Sequence, residues 1–211
     1  VGTGLNTKKN FGKLMADQIS KMSGVKFMEA PNHFEAQASQ DAAVETSGTL
    51  KAVAVSLSKI ANDIRWMGSG PRSGIGELIL PAVQPGSSIM PGKVNPVICE
   101  SMIQICAQVI GNDVTITLGG QGGVFELNMM LPLIAHNLLE SIEILSTGSN
   151  MFTNKLIKGL SANKDKCFGY IEGSLAMCTS LAPVIGYDKA AEVAHKAYET
   201  GMTIKEICIK E

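Results

Sequence analysis

The stretch Leu50-Lys-Ala-Val-Ala-Val-Ser-Leu-Ser-Lys-Ile-Ala-Asn-Asp-Ile64 places apolar side chains at Leu50, Val53, Leu57, Ile60 and Ile64, alternately three and four residues apart. That spacing is the seam of a long helix packed against other helices. No proline falls within residues 33–67, so the pattern predicts one helix over that span, roughly 50 Å long. Leu131, Ile134, Leu138, Ile142 and Leu145 mark a second long helix over residues 125–154, with Pro132 expected to kink it. Between the two, Asn95 and Pro96 read as N-cap and first helical residue of a helix whose apolar face carries Ile98, Met102, Ile105 and Val109. The cluster Gly119, Gly120, Gly122 and Gly123 interrupts it.

Shorter helices flank this set. Phe11, Leu14, Met15, Ile19 and Met22 form a stripe that closes at Gly24. Near the end, helices are expected to begin at about Asn163, at about Asp188 with a stop at Gly201, and at Thr203, where Glu206 completes a capping box. No segment alternates with period two, so the fold class is all-α, a long-helix bundle followed by a small helical domain. The change from long to short helices divides the chain into 1–158, part of a central bundle, and 159–211, a small C-terminal domain. Helices this long cannot cover their own stripes within 211 residues, so the pattern points to a bundle completed by other chains, with an ordinary monomeric bundle as the alternative.

Composition narrows the partners. Lys and Arg total 18 and Asp and Glu 19, for a net charge of −1 without long runs of one sign; neither nucleic acid nor an anionic membrane is an expected partner. No apolar stretch reaches the ~18 residues of a membrane span. The five cysteines are odd in number, and Cys99 and Cys106, seven apart on one helix face, stand about 10 Å from each other, too far for a disulfide. Reduced thiols in a cytosol-like compartment are expected. The first residue is Val1 rather than Met and the last, Glu211, falls inside a newly started helix, so the chain reads as an excerpt of a longer protein, without a visible targeting segment.

Catalytic motifs are few. His33, His136 and His195 are widely separated, there is no CxxC, HExxH or phosphate-binding loop, and Gly74-Ile75-Gly76 lacks the context of a dinucleotide site. Neither a metal nor a cofactor is expected. The exception lies at the end of a Gly- and Pro-rich loop spanning residues 68–92: Gly86-Ser-Ser-Ile-Met-Pro-Gly-Lys-Val-Asn-Pro96. Two hydroxyls, a lysine and an asparagine there lead into a helix start, whose free N–H groups and partial positive charge suit a carboxylate or a carbanion delocalised into one.

This loop resembles the signature loop of the fumarase/aspartase superfamily, whose members add or eliminate a group across a double bond beside a carboxylate. Val1-Gly-Thr-Gly-Leu-Asn6 resembles another block of that superfamily. Ala30-Pro-Asn-His-Phe-Glu-Ala36, Lys59-Ile-Ala-Asn-Asp-Ile-Arg65, Gly68-Ser-Gly-Pro-Arg72, Gly76-Glu-Leu78 and Phe125-Glu-Leu-Asn128 are similar to class II fumarases in particular, and the resemblance continues through Ile185-Gly-Tyr-Asp-Lys-Ala190 near the end. The resemblance implies interconversion of fumarate and L-malate through an aci-carboxylate intermediate. It assigns Ser87 as the base that takes the carbon-bound proton, Glu100 as partner of the catalytic histidine, and Ser88, Lys93, Val94 and Asn95 as the substrate-binding part of the loop. It also implies a tetramer with sites shared between subunits, in the cytoplasm or, in a eukaryote, the mitochondrial matrix. The family's Thr-His and Ser-Ser-Asn segments, which come before the opening block in its order, are not in the chain, so the 211 residues alone are expected to be inactive. Aspartate ammonia-lyase and a noncatalytic helical oligomerisation module are the competing readings.

Overall fold

The computed structural model describes residues 2–70 and 72–210; Val1 and Pro71, each part of a stretch quoted above, and Glu211 lie outside them. The described residues form an all-α fold with a few two-residue strand pairs. By packing, the chain divides into one unit of residues 1–61 with 99–152 and another of residues 62–98 with 153–211. The division into 1–158 and 159–211 is a proposal about independently folding segments, which limited proteolysis would test.

In the first unit, α1 (Phe11–Ser23) closes on Gly24 at φ 72°, as expected. The helix expected over residues 33–67 is two helices, α2 (His33–Ala38) and α3 (Asp41–Met67). Ser39 is extended, and its N–H returns to the Glu35 carbonyl at 2.8 Å. Absence of proline permitted one helix but did not require it: Ser39 turns extended, and the Gln40 carbonyl accepts the Ala43 and Val44 N–H groups at 3.0 and 3.1 Å to start the next helix.

The buried face of α3 carries Ser47, Ala54, Ala61 and Ile64, with Leu50 and Leu57 half-buried between them. Val53 and Ile60, expected in the seam, are 46% and 45% exposed. The three-four spacing was right and Leu50, Leu57 and Ile64 lie on the buried face, but Ala54 and Ala61 take the places expected of Val53 and Ile60, because small residues let helices approach closely and carry little weight when a stripe is read by size. α4 (Val97–Gly120) buries Cys99, Met102, Cys106, Val109, Asp113 and Ile116 with the same spacing, leaving the expected Ile98 and Ile105 half-buried on its flank.

The last long helix, α5 (Leu131–Lys155), begins six residues later than expected. Residues 123–128 instead form a hairpin of Gly123–Val124 against Leu127–Asn128, with Phe125 at φ 52° in its turn. Asn128 fixes the arrangement: buried, it accepts the Met130 N–H at 2.7 Å and donates to the Gly119 carbonyl at 3.0 Å. Pro132 therefore falls in the first turn of α5, where no helical N–H is needed and no kink follows. Of the expected seam, Ile134 and Leu145 are buried, whereas Leu131 and Ile142 are exposed.

A polar ladder crosses this core. Asn112 on α4, 2% exposed, donates to Glu140 Oε2 at 2.8 Å and Ser141 Oγ at 3.1 Å on α5, and accepts from Gln108 at 2.8 Å. Asp113 accepts from Ser47 at 2.9 Å and from Lys51 at 2.6 Å, both on α3. Replacing Asn112 by Ala removes the amide that joins two helices and leaves a small void; we expect a loss of about 2–3 kcal/mol, read as a lower urea midpoint at unchanged slope.

In the second unit, β1 (Leu78–Ile79) pairs antiparallel with Ser161–Ala162. Asn163 then caps α6 (Lys164–Gly173), as expected. A 3-10 turn at Leu175–Ser180 and the short α7 (Ala182–Ile185) precede α8 (Tyr187–Thr200) and α9 (Ile204–Lys210). Cys178, Val193, Ala197, Ile204 and Ile207 form its core. The Thr203 N–H and hydroxyl both meet the Glu206 carboxylate, which holds that carboxyl below its usual range and completes the expected capping box. None of the five cysteines is in a disulfide. No helix among the described residues is long and apolar enough to cross a membrane.

Candidate active site

The loop from Gly86 to Asn95 closes on itself at its neck. The Gly86 N–H donates to the Lys93 carbonyl at 3.0 Å, and the Asn95 side-chain amide donates to the Gly86 carbonyl at 2.6 Å. A β-carbon at residue 86 would stand inside the van der Waals shell of the Lys93 carbonyl, so only glycine allows this approach. At the tip, the Lys93 N–H returns to the Met90 carbonyl at 3.2 Å, and Gly92 supplies the left-handed turn at φ 80°. The loop is therefore internally braced, and residues 88–94 face solvent.

Ser87 is half-buried, and its Oγ accepts N–H bonds from Ile89 and Met90, each at 3.2 Å. The two amides fix where the oxygen points, as in a hydroxyl turn closed by the next residues of the loop. The hydroxyl proton is left to donate outward. Ser88, Lys93 and Val94 are exposed on the same loop, and Asn95 is half-buried at the neck. The Asn95 amide closes the loop on Gly86, and α4 starts at Val97, one residue later than expected. The first N–H groups of that helix have no partner within it and lie beside the loop in sequence. Glu100 falls in the first turn of α4 and belongs to the unit of residues 1–61 and 99–152, whereas the loop belongs to the other.

Other nucleophiles are poorly placed. Burial pushes the Cys106 thiol up, and burial together with Cys208 does the same to Cys178, so neither supplies thiolate near neutrality. His33 contacts Glu29 at 3.1 Å and the Gly2 carbonyl at 3.1 Å, while His136 and His195 are exposed on helix surfaces.

Two features of the site escaped the sequence reading. A serine followed by amides two and three residues on is a local hydroxyl turn, and Ser87-Ser-Ile-Met90 offered that signal. The anchoring of the loop's root offered none: Tyr170 donates to the Ile75 carbonyl at 2.8 Å across a separation of 95 residues.

Known proteins match the chain along its whole length. A family model described as lyase matches residues 1–111, and another described as fumarase C C-terminus matches residues 177–211. The mitochondrial fumarate hydratase of Danio rerio is 53% identical over 210 residues, which are 100% of this chain and 41% of that protein. The class II fumarate hydratase of Thermosynechococcus vestitus is 51% identical over 210 residues, covering 100% of this chain and 45% of the relative. The crystal structure of recombinant class II fumarase from Schistosoma mansoni superposes with a TM-score of 0.90 at 37% identity, covering 100% of this chain and 47% of that one. The chain thus spans less than half the length of these relatives.

Proposed function

Because the chain belongs to the lyase family and its fumarate hydratase relatives match it from end to end, we propose that it forms one wall of a fumarate hydratase site. In this reading Ser87, having first given up its hydroxyl proton, takes the proton from the carbon beside a carboxylate of L-malate and becomes the hydroxyl again, and the electron pair of the broken C–H bond moves into that carboxylate. Lys93 and the amides at the start of α4 hold the aci-carboxylate, stabilising charge where it develops. Ser88, Val94 and Asn95 shape and bind the same end of the substrate. Glu100 serves as partner of the histidine that protonates the leaving hydroxyl, and the whole protein supplies that histidine outside these 211 residues. The observation that carries the reading is the pair of N–H bonds to Ser87 Oγ on a braced loop, which holds the oxygen in one direction as a positioned base requires.

Assay of the whole protein tests it. We expect interconversion of fumarate and L-malate without deamination of aspartate, and no turnover by the 211 residues alone. Aspartate deamination without malate turnover would overturn the assignment. The relatives' names do not favour an aspartase.

The partner we assign beyond the substrate is a second copy of the chain, in a tetramer. Val53 and Ile60 on α3, Val114 and Leu118 on α4, and Leu139 and Ile142 on α5 are large apolar residues left exposed on three long helices, as in a bundle awaiting further helices. Light scattering at micromolar concentration should give an assembly, and a stable monomer would count against it. We place the protein in the cytoplasm or, for a eukaryotic source, the mitochondrial matrix, in keeping with the mitochondrial Danio rerio relative.

A further inference from the structure

The signature loop has a root as well as a neck, and the root is held by a segment distant in sequence. Strand β1, whose last residue is seven positions before Gly86, pairs Leu78 with Ala162 and Ile79 with Ser161. Immediately before it, the Glu77 carbonyl accepts the Asn163 N–H at 2.8 Å and the Cys167 thiol at 3.7 Å. Two residues earlier, the Ile75 carbonyl accepts the Tyr170 hydroxyl at 2.8 Å, while the Ile75 N–H donates to Ser69 Oγ at 3.1 Å. On the other side of β1, Pro81 packs against the backbone of Gly159, where a β-carbon would meet its ring at 3.1 Å. Every contact of this clamp lies within one packing unit.

The clamp is graded along the chain. Backbone pairing with residues 161 and 162 secures residues 78 and 79, Asn163 and Cys167 share the Glu77 carbonyl, and Tyr170 holds Ile75, so the segment from Gly159 to Tyr170 sets where the loop's ascending arm leaves the body of its unit. Between Ala82 and Pro85 the chain is exposed. The direction of Ser87 and Lys93 then depends on the fixed end of that arm. Tyr170 is the one side chain of α6 whose hydroxyl reaches the arm, and its ring is itself steadied by Lys166, whose ammonium stands 5.5 Å from the ring centre.

We infer that Tyr170 is a positioning residue for the signature loop, acting through the Ile75 carbonyl on the aim of Ser87. The inference rests on the fumarate hydratase reading and deepens it by assigning the C-terminal helical segment a part in the reaction. A hydroxyl bonded at a partly exposed site contributes little to global stability, whereas a displacement of about 1 Å at reacting groups is costly to rate. Loss of the hydroxyl should therefore change turnover and leave thermal stability in place.

The test is Tyr170→Phe in the whole protein, which keeps the ring and its contact with Lys166. We expect kcat to fall several-fold with KM within twofold, the melting temperature within about 2 °C, and hydrogen exchange faster at residues 75–81 and 86–94 than in the parent. Unchanged kcat would overturn the inference, and so would a fall in kcat accompanied by unchanged exchange in the loop. The two readings fail separately. A parent protein without malate turnover defeats the fumarate hydratase assignment, and the exchange measurement still decides whether Tyr170 governs the loop.

Discussion

Ser87→Ala in the whole protein should lower kcat by about 10³-fold, within the ~10²–10⁴ range for removal of a general base, with KM little changed. That factor corresponds to about 4 kcal/mol of lost transition-state stabilisation. The fold should survive, because Ser87 is a half-buried loop residue and its removal opens no core cavity. The Ile89 and Met90 amides it leaves are on exposed residues that water can serve. Steady-state kinetics with thermal melting of the same samples separates the two effects. Activity within tenfold of the parent would remove Ser87 from the role of base.

The second large effect is expected at Gly86. Its N–H and carbonyl hold Lys93 and Asn95 respectively, so both strands of the neck run through one residue. Alanine there would push its methyl group into the Lys93 carbonyl, and the Lys93 backbone cannot yield without opening the neck. Ser87 and Lys93, adjacent to the two ends of that bond, would separate by about 1 Å, which commonly costs on the order of 10²-fold in rate. We expect kcat/KM to fall by that factor while helical circular dichroism is unchanged, since the long helices do not depend on the neck. A Gly86→Ala protein within threefold of parental kcat/KM would show that the neck does not aim the site.

Helix type and number were readable in the sequence where period and caps agreed. Gly24, Asn163, Gly201 and the Thr203–Glu206 box each act over a single turn, so local chemistry decided those boundaries. The errors had a common cause in tertiary contacts. Asn128 ends the hairpin by reaching back to Gly119, and no pattern within residues 125–130 announces that bond. Two positions of the α3 seam were misjudged because Ala54 and Ala61 are buried by what approaches them within the chain, whereas Val53 and Ile60 stay exposed on it.

The site divides in the same way. The loop residues were recognisable from their types and order, and the neck was foreshadowed by its glycine and asparagine. Tyr170, Cys167 and Asn163 were not, since their contacts with residues 75–77 cross about ninety positions of chain.

The small residues of α3 also bear on how the bundle keeps its alignment. Ser47, Ala54 and Ala61 recur every seven residues, so a slide of α3 by one such step would meet little steric resistance. It would, however, set Ala54 in the place of Ser47 and Ser58 in the place of Lys51. Asp113, 4% exposed, would then lose the ammonium and hydroxyl that now meet it at 2.6 and 2.9 Å, and a buried carboxylate stripped of its cation costs several kcal/mol. The packing surface of α3 is thus smooth enough to slip, and a single acidic residue on α4 acts as the pawl that forbids it.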